Sequence, residues 1–249
     1  KRLWALCLWQ KNMDLFLSAM EKKMVLSMAK DHTEKIVLVV PISHTHYLVP
    51  PTGLGYLATA LRQSGFTDIT ILDCVKEGLS FNGLSERFRK LKPKIVGFQV
   101  FSYDFDSVVR SIGILKKVCP ETTILIGGAH VSATSMTVLE EIEEADYGFA
   151  GEGEIGLPML AKHILRDEII PLESIPGLIW RNGSSICNNE RAGTEDLDSL
   201  GFQAWDLMEP VSYNGSPQGG FYKRFPIAPI STTRGCPYLC TFCGSGVNM

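Results

Sequence analysis

The sequence predicts an α/β fold: a doubly wound, five-stranded parallel sheet, then a linker, then the opening of a second β/α unit. Three observations predict it. Between residues 35 and 165, short apolar runs alternate five times with stretches of helical periodicity, and strands separated by helices assemble as a parallel sheet covered on both faces. The first run, Ile36-Val37-Leu38-Val39-Val40, is continuously apolar and not alternating, as a strand buried on both sides requires. Glycines and polar residues gather where later runs end, at Gly127-Gly128 and at Gly151-Glu152-Gly153-Glu154. That is the edge at which open α/β sheets bind ligands.

Residues 1–34 precede the regular part. Leu3-Trp4-Ala5-Leu6-Cys7-Leu8-Trp9 is apolar but short, and Lys11, Asp14 and Glu21-Lys22-Lys23 interrupt the stretch behind it. With no small-residue cleavage site, this is not a signal peptide. It reads as an amphipathic helical extension packed on the next domain; a membrane-surface helix is the weaker reading, because its acidic residues dilute the positive face. Strand one is expected at 35–40. A helix follows at 52–64, with Thr52 as N-cap and Leu54, Leu57, Ala58 and Leu61 on one face. The same reading gives strands at 68–72, 94–101, 122–126 and 147–150, and helices at 84–91, 104–118, 135–144 and 155–165. Right-handed crossovers then favour the order 2-1-3-4-5, a flavodoxin-like winding, with its switch point between strands one and three. The doubly wound domain is thus 35–166, and 167–225 is a linker. Within it, 175–181 and 184–188 flank Asn182-Gly183 as a small hairpin with a type I′ turn, and 213–220 is rich in Gly, Pro and Ser. Residues 226–231 are expected to be the first strand of a further unit, 226–249.

Composition narrows the function. A hydrophobic content of 45% and a charged content of 20% are ordinary for a globular chain. A formal net charge of −3 gives no reason to expect nucleic acid as a partner. No apolar run approaches the ~18 residues a membrane-spanning helix needs. Seven cysteines, three of them clustered, indicate a reducing, cytoplasmic setting and not a disulfide framework. Cys7, Cys74, Cys119 and Cys187 have no mutual spacing that suggests a metal site and read as small core or surface residues.

The clustered three lie in Arg234-Gly235-Cys236-Pro237-Tyr238-Leu239-Cys240-Thr241-Phe242-Cys243, at C-x₃-C-x₂-C spacing. Thiolates are soft ligands for zinc or iron–sulfur clusters. Structural zinc takes four protein ligands, and no histidine follows here, so a zinc site would need a ligand from another chain. Three thiolates fit a 4Fe–4S cluster with one open iron. The motif resembles that of the radical S-adenosylmethionine (radical SAM) superfamily. The resemblance implies that Cys236, Cys240 and Cys243 hold the cluster, that S-adenosyl-L-methionine chelates the open iron and is cleaved to a 5′-deoxyadenosyl radical, and that Phe242 lies near the adenine. The partial β/α barrel of that superfamily would follow the cysteine loop, so the chain is expected to be the N-terminal portion of a longer protein, inactive as it stands.

For the doubly wound domain, Gly53-Leu54-Gly55-Tyr56-Leu57-Ala58 with Asp73 downstream formally matches a dinucleotide fingerprint. A long loop with Pro41, Pro50 and Pro51 separates it from strand one, however, and the cradle needs its first glycine directly off the strand. These glycines are expected to let the first helix approach the sheet closely. Neither the acidic residues of a receiver domain nor the phosphate loop of a flavodoxin is present after strand one. Pro50-Pro51-Thr52-Gly53-Leu54-Gly55-Tyr56-Leu57-Ala58, Gly127-Gly128-Ala129-His130-Val131-Ser132 and Gly151-Glu152-Gly153-Glu154, followed by the cysteine motif, resemble the cobalamin-dependent radical SAM enzymes. The resemblance implies cobalamin held at Ser102, Gly127, Gly128, His130, Gly151, Glu152 and Gly153. Its nucleotide tail would be buried among the strand ends, where Gly127 and Gly128 offer no Cβ, and its corrin would lie over the loops after strands one, three and five. Gly151 and Gly153 are expected to present backbone amides; the alternative for Glu152 and Glu154 is to cap the last helix. The D-x-H-x-x-G motif that supplies a cobalt-ligating histidine in other cobalamin enzymes is absent, so His44 and His46 read as ordinary loop histidines. The implied function is methyl transfer to an unactivated carbon of a small-molecule substrate, with an external electron donor such as a flavodoxin or ferredoxin. The alternatives are an oxidative cyclase whose first domain has lost cobalamin, a cobalamin-binding module without catalysis, and a structural domain with a vestigial pocket.

Overall fold

A computed structural model describes residues 34–44, 48–193, 196–213, 223–238 and 240–244. The chain divides into Lys1–Glu34 and Lys35–Met249. Apart from Glu34, the first unit, with its expected helical extension, lies outside the described residues.

In the second unit, β1 (Ile36–Val40) pairs with both β2 (Ile69–Asp73) and β3 (Ile95–Gln99). β4 (Thr123–Gly127) and β5 (Tyr147–Phe149) follow, and every one of these pairings is parallel. The expected order of these five strands is present. The sheet itself has seven, in the order β2-β1-β3-β4-β5-β6-β7. β6 (Leu178–Asn182) and β7 (Ser185–Asn188) form the expected hairpin, but it is no part of a linker: β6 pairs antiparallel with β5. An exposed edge strand is a template for unwanted pairing, and the hairpin covers β5. Gly148 permits this, because a Cβ there would lie 3.3 Å from Ile179 Cβ. The turn falls at Gly183-Ser184, one residue later than expected. Only Gly183 has a positive φ (+59°), which marks type II′ and not type I′.

Each face of the sheet carries helices. Val37, Val39, Val96, Phe98, Ile124 and Ile126 pack against α2 (Phe81–Leu91), α3 (Phe105–Val118), α4 (Ala129–Thr134) and α5 (Thr137–Glu141). Ile36, Leu38, Ile95, Leu125 and Phe149 pack against α1 (Thr52–Gln63) and α6 (Gly156–Arg166). Thr52 is the first helical residue of α1 and not its cap. α2 begins three residues earlier than its periodicity indicated, because the Ser80 side chain accepts from Gly83 N and caps it. The helix expected at 135–144 is only the short α5, and an unexpected helix, α4, precedes it, the two separated at Ser135 with φ +56°. His130, Ser132 and Thr134 hid the first of them from a search for apolar periodicity.

The described part of the supposed linker is a strap. α7 (Trp205–Met208) lies on α1: Arg62 forms two hydrogen bonds to Asp206 (2.8 and 2.6 Å), Thr59 Oγ1 donates to Phe202 O (2.7 Å) and Ala204 N donates to Gly55 O (3.1 Å). Gly55 serves this contact, since a Cβ there would lie 2.7 Å from Met208 Cε. Asp73 accepts from Val75 N, Lys76 N and the hydroxyl of Tyr213 (2.7 Å), and burial pushes its carboxyl above the ordinary range. The strap and a turn thus account for Gly55 and Asp73, and with them the formal dinucleotide pattern. Among the described residues, 226–231 form no strand, so the expected first strand of a further unit is not seen.

Candidate functional site

The parallel register sets Leu38, Gly97 and Leu125 side by side, and one layer nearer the carboxyl edge Gln99, Gly127 and Phe149. Gly97 and Gly127 contribute no side chain to the face that α1 and α6 cover. Where they leave the sheet bare, a cleft of about 330 Å³ opens between the two helices. Tyr56 and Leu57 wall it from α1 and Leu157 from α6; Glu152, Glu154 and Arg234 stand among its lining. Its polar groups are few and its walls mostly apolar, as ligand clefts usually are.

The floor depends on an unusual backbone. Gly128 has φ +113°, and a Cβ there would lie 2.9 Å from Val100 O. Val100 N donates to Gly127 O (2.7 Å) and His130 N to Val100 O (3.2 Å), so β3 and the β4–α4 turn are stitched together at this point.

Five of the sequence-predicted site residues, Gly127, Gly128, Gly151, Glu152 and Gly153, line the cleft. Ser102 and His130 do not. They pair with each other, Ser102 Oγ to His130 Nδ1 at 3.0 Å, and the imidazole leans on Phe105 with 4.9 Å between ring centroids. The buried His130 Nε2 has no hydrogen-bond partner among the described residues. Close by in sequence, Phe101 and Tyr103 stack at 5.5 Å, and Tyr103 is exposed.

Two expectations fail on geometry. The Gly151 amide is not open to a ligand, because it donates to Ser132 Oγ (2.9 Å). Glu152 and Glu154 do not cap α6, whose N-terminus has no side-chain cap. They bind Arg234 instead, Glu152 Oε1 at 3.1 Å from Nη1 and Glu154 Oε1 at 2.7 Å from Nη2, and the guanidinium lies over the Tyr56 ring, 4.9 Å from its centroid. Burial alone would lower the guanidinium pKa, but the hydrogen bonds it donates to Glu154 and Glu152, with their negative charges, outweigh that and hold it above its ordinary range, so it stays charged. Of the cleft residues, the sequence reading missed Gly97, Tyr56 and Arg234. A glycine inside an otherwise apolar strand was the available signal for the first.

Cys236, Cys240, Cys243 and Phe242 are exposed on their loop. Among the described residues, no three His, Cys, Asp or Glu side chains converge closely enough to hold a metal ion. His44 is exposed, and His46 lies outside the described residues. Cys74 differs from the loop cysteines: it is 1% exposed, and burial, followed by the charges of Asp73 and Glu77, pushes its thiol up to about 12. Since the thiolate is the nucleophile, brief iodoacetamide treatment of the folded chain should alkylate Cys236, Cys240 and Cys243 and spare Cys74. Peptide mass mapping reads this directly, and equal labelling of Cys74 would contradict the packing described.

No helix among the described residues is long and apolar enough to cross a membrane. The family model described as the B12 binding domain matches residues 38–161. The anaerobic magnesium-protoporphyrin IX monomethyl ester cyclase of Cereibacter sphaeroides is 29% identical over 196 residues, 78% of this chain and 31% of that one. An uncharacterized methyltransferase of Pyrococcus horikoshii is 27% identical over 223 residues, 86% of this chain and 46% of that one. The hopanoid C-3 methylase of Methylococcus capsulatus is 28% identical over 207 residues, 78% of this chain and 36% of that one. This chain therefore spans between about a third and just under half of these relatives. Among solved structures, the radical S-adenosylmethionine methyltransferase TsrM from Kitasatospora setae, with cobalamin and a 4Fe–4S cluster bound, superposes with a TM-score of 0.56 at 24% identity, over 65% of this chain and 29% of that one. The cobalamin-dependent S-adenosylmethionine radical enzyme OxsB, with aqua-cobalamin and S-adenosylmethionine bound, superposes with a TM-score of 0.57 at 16% identity, over 64% and 22%. At these identities the two structures speak for the fold.

Proposed function

With residues 38–161 a member of the B12-binding domain family, we propose that this chain is the cobalamin-binding part, with the cluster loop, of a radical SAM enzyme that transfers a methyl group to a small-molecule substrate. The observation that carries the reading is the cleft over Gly97 and Gly127. About 330 Å³ is at the small end of ligand pockets. It suits the base and ribose of a nucleotide tail, while a corrin would have to stay outside. Gly97, Gly127, Tyr56 and Leu157 would hold the tail, and Gly128 keeps the floor in place. The corrin would lie over the carboxyl edge, where Ser102 and His130 and the Phe101–Tyr103 stack supply polar and aromatic contact. Cys236, Cys240 and Cys243 would supply the donors for the cluster; three thiolates on one short loop suit iron–sulfur ligation. When bound, the cofactors would supply one-electron cleavage of S-adenosylmethionine and carriage of the methyl group, and the protein's work is binding, orientation and exclusion of water. An external donor such as a flavodoxin or ferredoxin would supply the electron for that cleavage.

The similarity to the magnesium-protoporphyrin ester cyclase favours one second reading, oxidative ring formation in place of methyl transfer. The two readings part at the corrin, which methyl transfer requires on this domain and the cyclase reading does without. Incubating the chain with hydroxocobalamin in the dark, desalting it and recording the visible spectrum tests this. The expected result is one corrin retained per chain, with the spectrum of a cobalamin lacking a nitrogenous lower ligand, because the tail is withdrawn into the cleft. A colourless protein fraction would refute the proposal.

A further inference from the structure

Glu152 and Glu154 hold the segment that carries the three clustered cysteines. We propose that Arg234 is a positioning residue that fastens the cysteine loop across the mouth of the cleft, so that filling the cleft and placing the three thiols are one linked equilibrium. Arg234 reaches both walls at once. Its guanidinium lies over Tyr56 on α1 and pairs with Glu152 and Glu154 on the β5–α6 loop. The side chains are sheltered: relative exposure is 23% for Arg234, 27% for Glu152 and 7% for Glu154. In such surroundings the pairing is far less screened than at an open surface, and taking one partner away leaves a sheltered charge uncompensated. The planar fork of arginine suits two carboxylates side by side, and lysine could not reproduce that geometry.

Arg234 stands two residues before Cys236. At ~3.3–3.6 Å of chain per residue, the Cys236 Cα lies at most about 7 Å from the Arg234 Cα, so anchoring Arg234 restricts where the first cysteine can reach. Arg234 and Ser231 also line the cleft, so a ligand inside it touches the segment that delivers the cysteines. A ligand that binds better with the latch closed must, by reciprocity, close the latch. The latch stands on its own geometry; its coupling to a corrin rests on the cobalamin reading above.

Trypsin supplies the test, because it cuts after Arg234 only when the guanidinium leaves its partners. Lys223 and Arg224 are exposed in the same segment and serve as internal references. In the native chain, cleavage after Arg234 should be about tenfold slower than after Arg224. In Glu152→Gln/Glu154→Gln it should approach the Arg224 rate, while cleavage at Lys223 and Arg224 stays within about twofold of the native chain. If the double variant fails to fold, Glu152→Gln alone, at the more open carboxylate, should give an intermediate rate. Equal cleavage after Arg234 in the native chain and the variants, measured without corrin, would overturn the latch. Hydroxocobalamin retained by the native chain should slow the Arg234 cut by a further threefold or more. Retention with no change in that rate would overturn the coupling and leave the latch to the first comparison. No retention would overturn the cobalamin reading and the coupling built on it.

Discussion

Gly128→Ala should destabilise the domain by about 3–5 kcal/mol. Two costs combine. The native φ of +113° is one that residues with a side chain rarely adopt, and such strain costs about 1–3 kcal/mol. The new Cβ would also lie 2.9 Å from Val100 O and 3.2 Å from Val100 N. Both are backbone atoms of the segment that hydrogen-bonds Gly127 and His130, so they cannot rotate away as a side chain would. Gly113→Ala is the internal contrast. Gly113 lies inside α3, and nothing stands within 4 Å of the position its Cβ would take, so alanine there should be neutral or stabilise by about 0.5–1 kcal/mol. Urea unfolding of the three proteins measures both effects as shifts in midpoint at constant slope. Equal midpoints for the two variants would contradict the account of the β4–α4 turn.

Gly97→Leu should abolish corrin retention while leaving the fold intact. Gly97 sits mid-strand at ordinary strand φ, and a Cβ there would lie 3.2 Å from Leu38 Cδ2, the mobile end of a side chain. The backbone therefore tolerates the change, but the leucine occupies the floor of the cleft. The expected weakening is at least about a hundredfold, or about 2.7 kcal/mol, with an unchanged far-ultraviolet spectrum. Native-like retention by a folded Gly97→Leu protein would show that the ligand does not use this cleft.

The parallel core of the fold was legible because burial on both faces leaves a crude signal: β1 through β4 are apolar runs, and helices of ordinary amphipathic pattern separate them. β6 and β7 were legible as a hairpin, but their attachment to β5 was not. Pairing partners are set by which edge is free, and neither strand's own residues state that. α4 escaped notice because polar residues interrupt its apolar pattern: Ser132 Oγ accepts from Gly151 N and His130 pairs with Ser102. Site legibility split the same way. Gly127, Gly128, Gly151, Glu152 and Gly153 were found because they cluster at strand ends, and the structure gathers all five at one cleft. Gly97, Tyr56 and Arg234 come from three distant stretches and meet only through folding. Ser102 and His130, assigned with the cleft group, form their own pair outside it, since a position at a strand end does not fix which face a side chain takes.

The central claim is that the cleft over Gly97 and Gly127 takes the nucleotide tail of a corrin. Titration of the chain with cobalamin and, separately, with cobinamide, the same macrocycle without the nucleotide, tests it most directly. Burial of an aromatic base removes ~150–250 Å² from water, and at ~25 cal/mol per Å², discounted for the ordering that binding costs, about 3 kcal/mol should remain. Cobalamin should therefore bind about a hundredfold more tightly than cobinamide, and Gly97→Leu should erase the difference. Equal affinities for the two corrins in the native chain would contradict the claim.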